Sequence, residues 1–199
     1  MESFLAINKY VDYDSALVIE KANELFSGRM TDLDKAQTAY WFVRDEIPHS
    51  FDCNAQVITA RASDVLRHGT GICHAKANLL VALLRSQGIP TGFCFQHLTL
   101  LDDESMGYCL HCFNAILLND EWIKVDARGN TNGRHAQFST GAPVLAFENR
   151  RQYDEYFFDG IYAAPDSPTM ELLERAVTLQ DVMAGLPEKP AKAPDIRPA

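Results

Sequence analysis

Apolar positions in the first part of the chain recur with the three-to-four-residue spacing of amphipathic helices. Residues 14–26 show this spacing, and Gly28 follows them as a helix end. A second helix is predicted to begin at residues 31–34, whose sequence Thr-Asp-Leu-Asp resembles a capping box, and to stop at Pro48. The first quarter of the chain is therefore predicted to be helical.

The next long helix has apolar residues around most of its circumference. It follows a turn that contains Gly69 and Gly71, and it is predicted to run from Cys73 to about Gln87, with Gly88 as its cap. A shorter helix, with Ser63 as a candidate cap, precedes the turn. Because a helix that is apolar on most sides is buried on most sides, we expect the Cys73 helix to be the central helix of the fold.

After Pro90 the pattern becomes that of β-strands. Three strands are predicted at residues 91–100, 110–118 and 121–126, with a turn at Asn119-Asp120 between the last two. The short turn favours an antiparallel meander. Helices followed by an antiparallel sheet indicate an α+β architecture.

The C-terminal part of the chain is less regular. Residues 147–162 are rich in aromatic side chains, and we interpret the aromatic run 147–158 as core and cleft wall. A last helix is predicted over 168–184, with Ser167 as its cap. Residues 187–199 contain four prolines and are predicted to be a disordered tail. The remaining residues, 1–186, are predicted to form a single domain.

Charge and cysteine content narrow the function classes. The formal net charge is −9, which argues against a nucleic-acid partner because phosphates require basic surface. We find neither a signal peptide in residues 1–10 nor an apolar stretch long enough to span a membrane. Five cysteines, an odd number, favour free thiols in a reducing, cytoplasmic setting.

The position of Cys73 at the start of a helix suggests a chemical role. The free N–H groups and the positive dipole end of a helix N-terminus favour an anion there, so a cysteine at that place tends toward the nucleophilic thiolate. A cysteine in so apolar a helix could also be a small buried hydrophobic residue. The enzymatic interpretation therefore requires a base and a group that orients the base.

The hairpin of the predicted strands 110–118 and 121–126 supplies both a base and a group that orients the base, provided that its turn has two residues. In that register Leu118 pairs with Glu121, and His111 and Asp126 become diagonal neighbours on one face of the sheet. A three-residue turn would place His111 and Asp126 on opposite faces. His97 on the preceding strand is the competing candidate for the base.

These residues resemble the pattern of the transglutaminase-like superfamily, within the papain-like clan of cysteine enzymes. The matching segments are Gly71-Ile72-Cys73, the helix end at residues 83–90 (Leu-Leu-Arg-Ser-Gln-Gly-Ile-Pro), His111, and residues 122–126, which end in Asp126. The resemblance covers about residues 63–129. It implies a papain-like fold in which a central cysteine-bearing helix packs on an antiparallel sheet.

Two positions depart from the family pattern. The common His-Ala-Trp after the base is His111-Cys112-Phe113 here, and the common Asp-Pro-Thr is Asp126-Ala127-Arg128. Neither departure removes Cys73, His111 or Asp126. Both change the surroundings of the cleft, so the family's substrate choice does not transfer to this chain.

The resemblance implies a catalytic triad. Cys73 would attack an amide or acyl carbonyl to form a thioester, with His111 as base and then acid and Asp126 fixing the imidazole tautomer. The backbone N–H of Cys73 would stabilise the oxyanion.

The same resemblance leaves several choices open. In such enzymes a second oxyanion donor comes from an upstream side chain, for which Trp41, His49 and Arg67 are candidates. The thioester could pass to an amine, as in a transglutaminase, or to water, as in a peptidase or amidase. The expected substrate is a peptide, a protein or a small amide, and no metal or organic cofactor is implied.

Other interpretations of the motifs remain. An arylamine-acetyltransferase-like acyl transfer is faintly suggested by the spacing of Cys73 and Asn78, and an inactive binding module could retain the fold. Cys109 and Cys112 have the Cys-x-x-Cys spacing, but a strand is not where a redox pair normally lies. A zinc site there would need further ligands, for which Cys94 and His97 are the candidates.

Overall fold

The fold is α+β, with α-helices before and after an antiparallel sheet. The computed structural model describes residues 1–100 and 104–197. The helices are α1 (Ala16–Leu25), α2 (Asp32–Trp41), α3 (Ala62–His68), α4 (Cys73–Arg85), α5 (Ser167–Arg175) and α6 (Leu179–Gly185). The strands are β1 (Thr91–Thr99), β2 (Tyr108–Leu118), β3 (Glu121–Val125) and β4 (Tyr156–Phe157). Helices and sheet therefore follow the predicted order.

Local capping sets the starts of the first helices. The Thr31 hydroxyl accepts the Asp34 N–H at 3.2 Å while the Asp34 carboxylate accepts the Thr31 N–H at 2.9 Å, so the predicted capping box is present. Ser63 does not cap α3, because its hydroxyl donates to Asp12 at 2.5 Å, and Arg61 occupies the cap position. Helix α3 ends at Gly69, whose φ of 65° is the left-handed conformation of a C-terminal glycine cap.

The sheet has the strand order β3-β2-β1-β4, and all its pairs are antiparallel. Leu118 pairs with Glu121 across the turn, and both turn residues have positive φ, 50° for Asn119 and 65° for Asp120. These angles belong to a two-residue hairpin loop. The register that the sequence required is therefore confirmed.

Helix α4 is the central helix, as predicted. Twelve of its residues, from His74 to Arg85, are buried between the sheet and the other helices. Arg85 at its C-terminal end donates to the carbonyl oxygens of Thr91, Ala6 and Ala163 at 2.6–3.0 Å. The helix thus joins the N-terminal segment, the first strand and the loop after β4.

The single helix predicted over 168–184 is two helices, α5 and α6. Its cap also differs, because Asp166 rather than Ser167 accepts the Thr169 N–H, at 3.1 Å. A second capping box, between Thr178 and Asp181, begins α6 and ends the continuity of the helix. The two helices pack on Ile72, which immediately precedes Cys73.

Residues 187–197, which the sequence predicted to be a disordered tail, form hydrogen bonds with the rest of the protein. The Leu110 N–H donates to the carbonyl oxygen of Pro187 at 2.7 Å, and Ile161 and Ile196 form an antiparallel bridge. Proline lacks an N–H but keeps its carbonyl as an acceptor, so a proline-rich segment can be held by donors of the domain. Residues 198–199 lie outside the described part of the chain.

Candidate active site

The turn before α4 fixes the position of Cys73. A Cβ atom added at Gly71 would lie 3.1 Å from the Ala75 side chain, so a larger residue would push the turn away from the helix. The carbonyl oxygen of Gly71 accepts the Ser50 N–H at 3.1 Å, which pairs this turn with the chain at His49. Cys73 therefore begins its helix beside a second, upstream segment, and its side chain is half-buried.

His111 and Asp126 form a buried pair on neighbouring chain segments. His111 Nε2 lies 2.8 Å from Asp126 Oδ2, and the two side chains are 4% and 1% exposed. Asp126 also accepts the backbone N–H groups of Arg128 and Ala146, at 3.0 and 3.1 Å. Since a carboxylate only accepts, these donors fix the acid as an anion that faces the imidazole.

Cys73 adjoins the same imidazole. The His111 side chain and the backbone N–H of Cys112 both lie close enough to the thiol to lower its pKa. Because Asp126 holds Nε2, Nδ1 is the ring nitrogen that faces the thiol. The three residues that the sequence predicted therefore lie together, with His111 between Cys73 and Asp126.

The pKa directions describe an ion pair. Burial opposes ionisation of Cys73, but the charge and hydrogen bond of His111 outweigh it and lower the pKa of the thiol below its ordinary value. Burial likewise opposes the charged form of His111, yet Asp126 and Cys73 raise its pKa to about 10. The pKa of Asp126 is lowered by His111 against the effect of burial. The three pKa directions therefore favour the thiolate, the imidazolium and the carboxylate forms of these residues.

His49 contacts the backbone N–H of Cys73, which the sequence predicted to be a free oxyanion donor. The backbone N–H of Cys73 is not free but donates to His49 Nε2 at 3.1 Å. Burial, then the charge of Arg128, lower the pKa of His49 well below its ordinary value, so the ring is neutral and can accept. Within the described residues His49 Nδ1 has no hydrogen-bond partner. Trp41 and Arg67, the other predicted candidates, are exposed and do not line the cleft.

A network of polar contacts holds the His49 loop against the loop after Asp126. Asp52 accepts two hydrogen bonds from the Arg128 guanidinium, at 2.5 and 2.9 Å, and a third from the Thr131 hydroxyl. Beneath them the buried Lys76 donates to the carbonyl oxygens of Ile47 and Arg128. Both loops are therefore tied to α4 one turn after Cys73.

Cys73 and His111 line a cleft whose cavity volume is about 120 Å³. The cleft is walled mainly by apolar side chains, with His49, Arg128 and Arg134 as polar members. The apolar wall comprises Phe51, Ile72, Leu98, Leu100, Leu110, Phe147, Met183 and Leu186. Phe147 lies in the aromatic segment that the sequence assigned to the cleft wall.

His97, the other candidate for the base, and the Cys109/Cys112 pair, the candidate for a redox or zinc site, both lie in the sheet. His97 stacks on Tyr108 and Tyr156, and its Nδ1 donates to the carbonyl oxygen of Glu188 at 2.9 Å, so it is not beside Cys73. Cys109 and Cys112 lie on strand β2, and within the described residues neither of them forms a disulfide. Within residues 1–100 and 104–197, no group of three or more His, Cys, Asp or Glu residues is arranged to hold a metal.

Sequence reasoning missed several residues of the cleft. Arg128 was noted only as a departure from the family pattern, although it lines the cleft and forms an ion pair with Asp52. Met183 and Leu186 come from a region predicted as helix and domain end. No local signal marks these residues, because each reaches the cleft through contacts that are distant along the chain.

Comparison with known proteins assigns the family. The sequence model of the transglutaminase-like superfamily matches residues 19–127, which is more than half of the chain. The chain belongs to the transglutaminase-like superfamily. No curated protein is similar enough in sequence to count as a match for this superfamily member.

Solved structures of low sequence identity also match this transglutaminase-like chain. A candidate cysteine protease from Cytophaga hutchinsonii is 22% identical, with a TM-score of 0.45, over 63% of this chain and 40% of that protein. The periplasmic domain of TgpA from Pseudomonas aeruginosa, bound to ethylmercury, is 16% identical, with a TM-score of 0.42, over 62% and 46%. A TGase is 13% identical, with a TM-score of 0.42, over 66% and 34%. The chain thus spans less than half of each of these structures.

One further observation concerns membranes. Among residues 1–100 and 104–197, no helix combines the length and apolar character that crossing a bilayer requires.

Proposed function

We propose that this protein is a thiol enzyme that forms an acyl-thioester at Cys73, with His111 and Asp126 as the other members of a catalytic triad. The observation that carries the proposal is the contact chain from the Cys73 thiol through His111 to Asp126, where the His111–Asp126 distance is 2.8 Å. Its nucleophile faces an apolar cleft instead of the protein core. A buried ion pair with one member open to a cavity is typical of a catalytic site rather than of a structural one.

The proposed acylation starts from the ion pair. The Cys73 thiolate attacks the carbonyl carbon of an amide, and the C=O electron pair moves onto oxygen. When the tetrahedral intermediate collapses, the C–N bond breaks and the His111 imidazolium gives its proton to the departing amine. The products of this half are a Cys73 thioester, a free amine and a neutral His111.

In deacylation His111 acts as a base, whereas in acylation it gave up a proton as an acid. Neutral His111 takes a proton from an incoming amine or water as that nucleophile attacks the thioester, and the Cys73 thiolate leaves. An amine acceptor gives transglutaminase-type transfer, and water gives peptidase or amidase hydrolysis. The acyl donor is a peptide, a protein or a small amide, for which the apolar wall of the cleft supplies the binding surface.

His49 is the proposed side-chain oxyanion donor. Its Nε2 and the Cys73 N–H lie 3.1 Å apart, and in the unliganded site the ring accepts from that amide. An oxyanion that displaces this contact would accept from the Cys73 N–H. A proton shift from Nδ1, which has no partner within the described residues, to Nε2 would make His49 the second donor. The interaction would then be made with the intermediate and not with the resting site.

The test is the pH dependence of cysteine alkylation. Iodoacetamide labelling read by mass spectrometry should modify Cys73 well below pH ~8.5, the region of an ordinary thiol. Cys94 is the internal control, because burial raises its pKa to about 12. The proposal fails if Cys73 labels no faster than Cys53, an exposed thiol, or labels only after unfolding.

A second measurement separates an enzyme from an inactive module. With p-nitrophenyl acetate as a small acyl donor, Cys73 should gain an acetyl group and lose it again in water or to an added primary amine. A Cys73 that is alkylated at low pH but never acylated would indicate a binding module with a reactive thiol.

A further inference from the structure

The edge of strand β2 next to Cys73 is covered by a C-terminal segment. Strand β3 pairs with Asn114 to Leu118 only, and within residues 1–100 and 104–197 no other strand pairs with that edge from Tyr108 to Phe113. There the Leu110 N–H donates to the carbonyl oxygen of Pro187 at 2.7 Å. We call residues 186–188 the strap.

The strap has two further attachments at the cleft. His97 Nδ1 donates to the carbonyl oxygen of Glu188 at 2.9 Å. The side chain of Leu186 lines the cleft that also contains Cys73 and His111. Both backbone hydrogen bonds use carbonyl oxygens of the strap, which any peptide offers, and the one side chain that enters the cleft is apolar.

The thiol uses the neighbouring position on the same edge. Alternate residues of a strand direct their N–H groups to the same side, so the Cys112 N–H faces the same edge as the Leu110 N–H, and it lies close enough to the Cys73 thiol to lower the pKa of that thiol. Leu110 and Cys112 are two residues apart, which is about 6.8 Å along a strand. The Pro187 carbonyl therefore occupies the edge position immediately beside the nucleophile.

We infer that the edge of β2 at Leu110 is a binding position for an extended peptide with a large apolar side chain, and that the strap occupies it as an internal competitor. Free strand edges bind extended peptides through main-chain hydrogen bonds, and side-chain pockets then supply selectivity. The strap fits this description in its backbone contacts and in Leu186. That the bound peptide is the acyl donor rests on the function proposed above, whereas its binding does not.

The experiment measures amide hydrogen exchange at Leu110 in the full-length chain. In Leu186→Glu a charge replaces the apolar side chain in the cleft, and Leu110 exchange should rise at least about tenfold as the strap leaves. In His97→Phe the ring stack is kept but the Nδ1 donor is lost, and a rise of about fivefold is expected for one hydrogen bond. Val177→Glu, in the exposed link between α5 and α6, is the control and should change nothing.

Synthetic peptides then test whether the edge of β2 at Leu110 binds an extended peptide once the strap has left it. In Leu186→Glu, added acetyl-Gly-Leu-Pro-Glu-amide should restore protection of the Leu110 amide and slow the labelling of Cys73 by a bulky maleimide. The matched peptide with Glu in place of Leu should do neither. Where Leu186→Glu fails to fold, the same peptides are tested on His97→Phe.

The outcomes separate this inference from the proposed function. Unchanged Leu110 exchange in both variants, or equal behaviour of the two peptides, overturns the inference. A responsive Leu110 amide together with a Cys73 that behaves as an ordinary thiol supports the inference and contradicts the proposed function.

Discussion

The two ends of helix α4 carry ionisable side chains in opposite situations. At the C-terminal end, Arg85 is 3% exposed and donates to backbone carbonyl oxygens of three segments. At the N-terminal end, Cys73 is half-buried and pairs with His111, whose other partner is Asp126. Burial lowers the pKa of Arg85 to about 10, which still leaves it charged at neutral pH.

The difference lies in where each charge points. The Arg85 guanidinium is directed at fixed carbonyl oxygens and so joins three segments, although it also borders a surface cavity. The Cys73 sulfur is polarised by fixed groups on one side and faces a cleft on the other. Burial and a perturbed pKa therefore do not identify a catalytic group by themselves. A neighbouring cavity does not do so either, since Arg85 also borders one, and Cys73 differs from Arg85 in being paired with His111.

Replacing the orienting acid should have the largest effect. Asp126→Asn removes the charge that raises the pKa of His111, so His111 loses its proton at a lower pH and the pKa of Cys73 rises. Acylation by p-nitrophenyl acetate should fall by about three orders of magnitude, as in other triads, and the acid limb of iodoacetamide labelling should move to higher pH. Asp120→Asn in the exposed turn is the control. An unmoved acid limb would mean that Asp126 does not support the ion pair.

Replacing Arg85, at the C-terminal end of α4, should lower the stability of the folded protein instead of its reactivity. Arg85→Met leaves the carbonyl oxygens of Thr91, Ala6 and Ala163 without their donor, and we expect a loss of about 3 kcal/mol in the free energy of unfolding. Urea denaturation measures this loss, and Arg175→Met on the exposed end of α5 is the matched control. The pH profile of Cys73 labelling in the folded variant should stay as in the wild type. A shifted profile would show that the two ends of α4 are coupled.

His49 distinguishes acylation from alkylation at the reactive end. His49→Phe removes the proposed oxyanion donor, so acylation by p-nitrophenyl acetate should fall by about 100-fold. Alkylation by iodoacetamide forms no oxyanion and should change by less than about threefold. Phe51→Leu, another change in the cleft wall, should affect neither reaction by a comparable factor. Equal losses in both reactions would assign His49 to positioning of the thiol.

Lys76 tests whether a buried cation near the reactive end is structural. Burial, then the charge of Arg128, lower the pKa of Lys76 to about 7 from 10.5. Between these values the unfolded chain binds more protons than the folded one, so the contribution of Lys76 to stability rises with pH and is smallest below pH 7. Lys76→Met should cost about 2 kcal/mol at pH 9 and less at pH 6.

Urea denaturation at the two pH values, with Lys35→Met on α2 as control, measures this dependence. A cost that is independent of pH, or larger at pH 6, would show that Lys76 keeps its proton in the folded protein throughout this range.

Local signals account for the parts of the structure that the sequence predicted. The capping box at Thr31 and the turn at Asn119-Asp120 each involve residues that are neighbours along the chain, so their geometry follows from residue type. The position of His111 relative to Asp126 then follows from counting along two strands. The resemblance to the family independently selected the same two residues and Cys73.

The parts that the sequence did not predict depend on distant contacts or on a local signal that was overlooked. The contact between His49 and Cys73 joins residues 24 positions apart, and nothing near His49 indicates it. The strap is held by Leu110 and His97, far from it in sequence. The break between α5 and α6 is different, because Thr178-Leu179-Gln180-Asp181 has the form of a capping box and could have been recognised.

The two-residue turn at Asn119-Asp120 also restricts how the gene can change. Given this turn, insertion or deletion of one codon between Glu121 and Val125 would move Asp126 to the other face of the sheet and separate it from His111 while the hairpin persists. Insertion of two codons there would keep both residues on one face. Length variants of β3 that keep the contact between His111 and Asp126 should therefore differ by even numbers of residues.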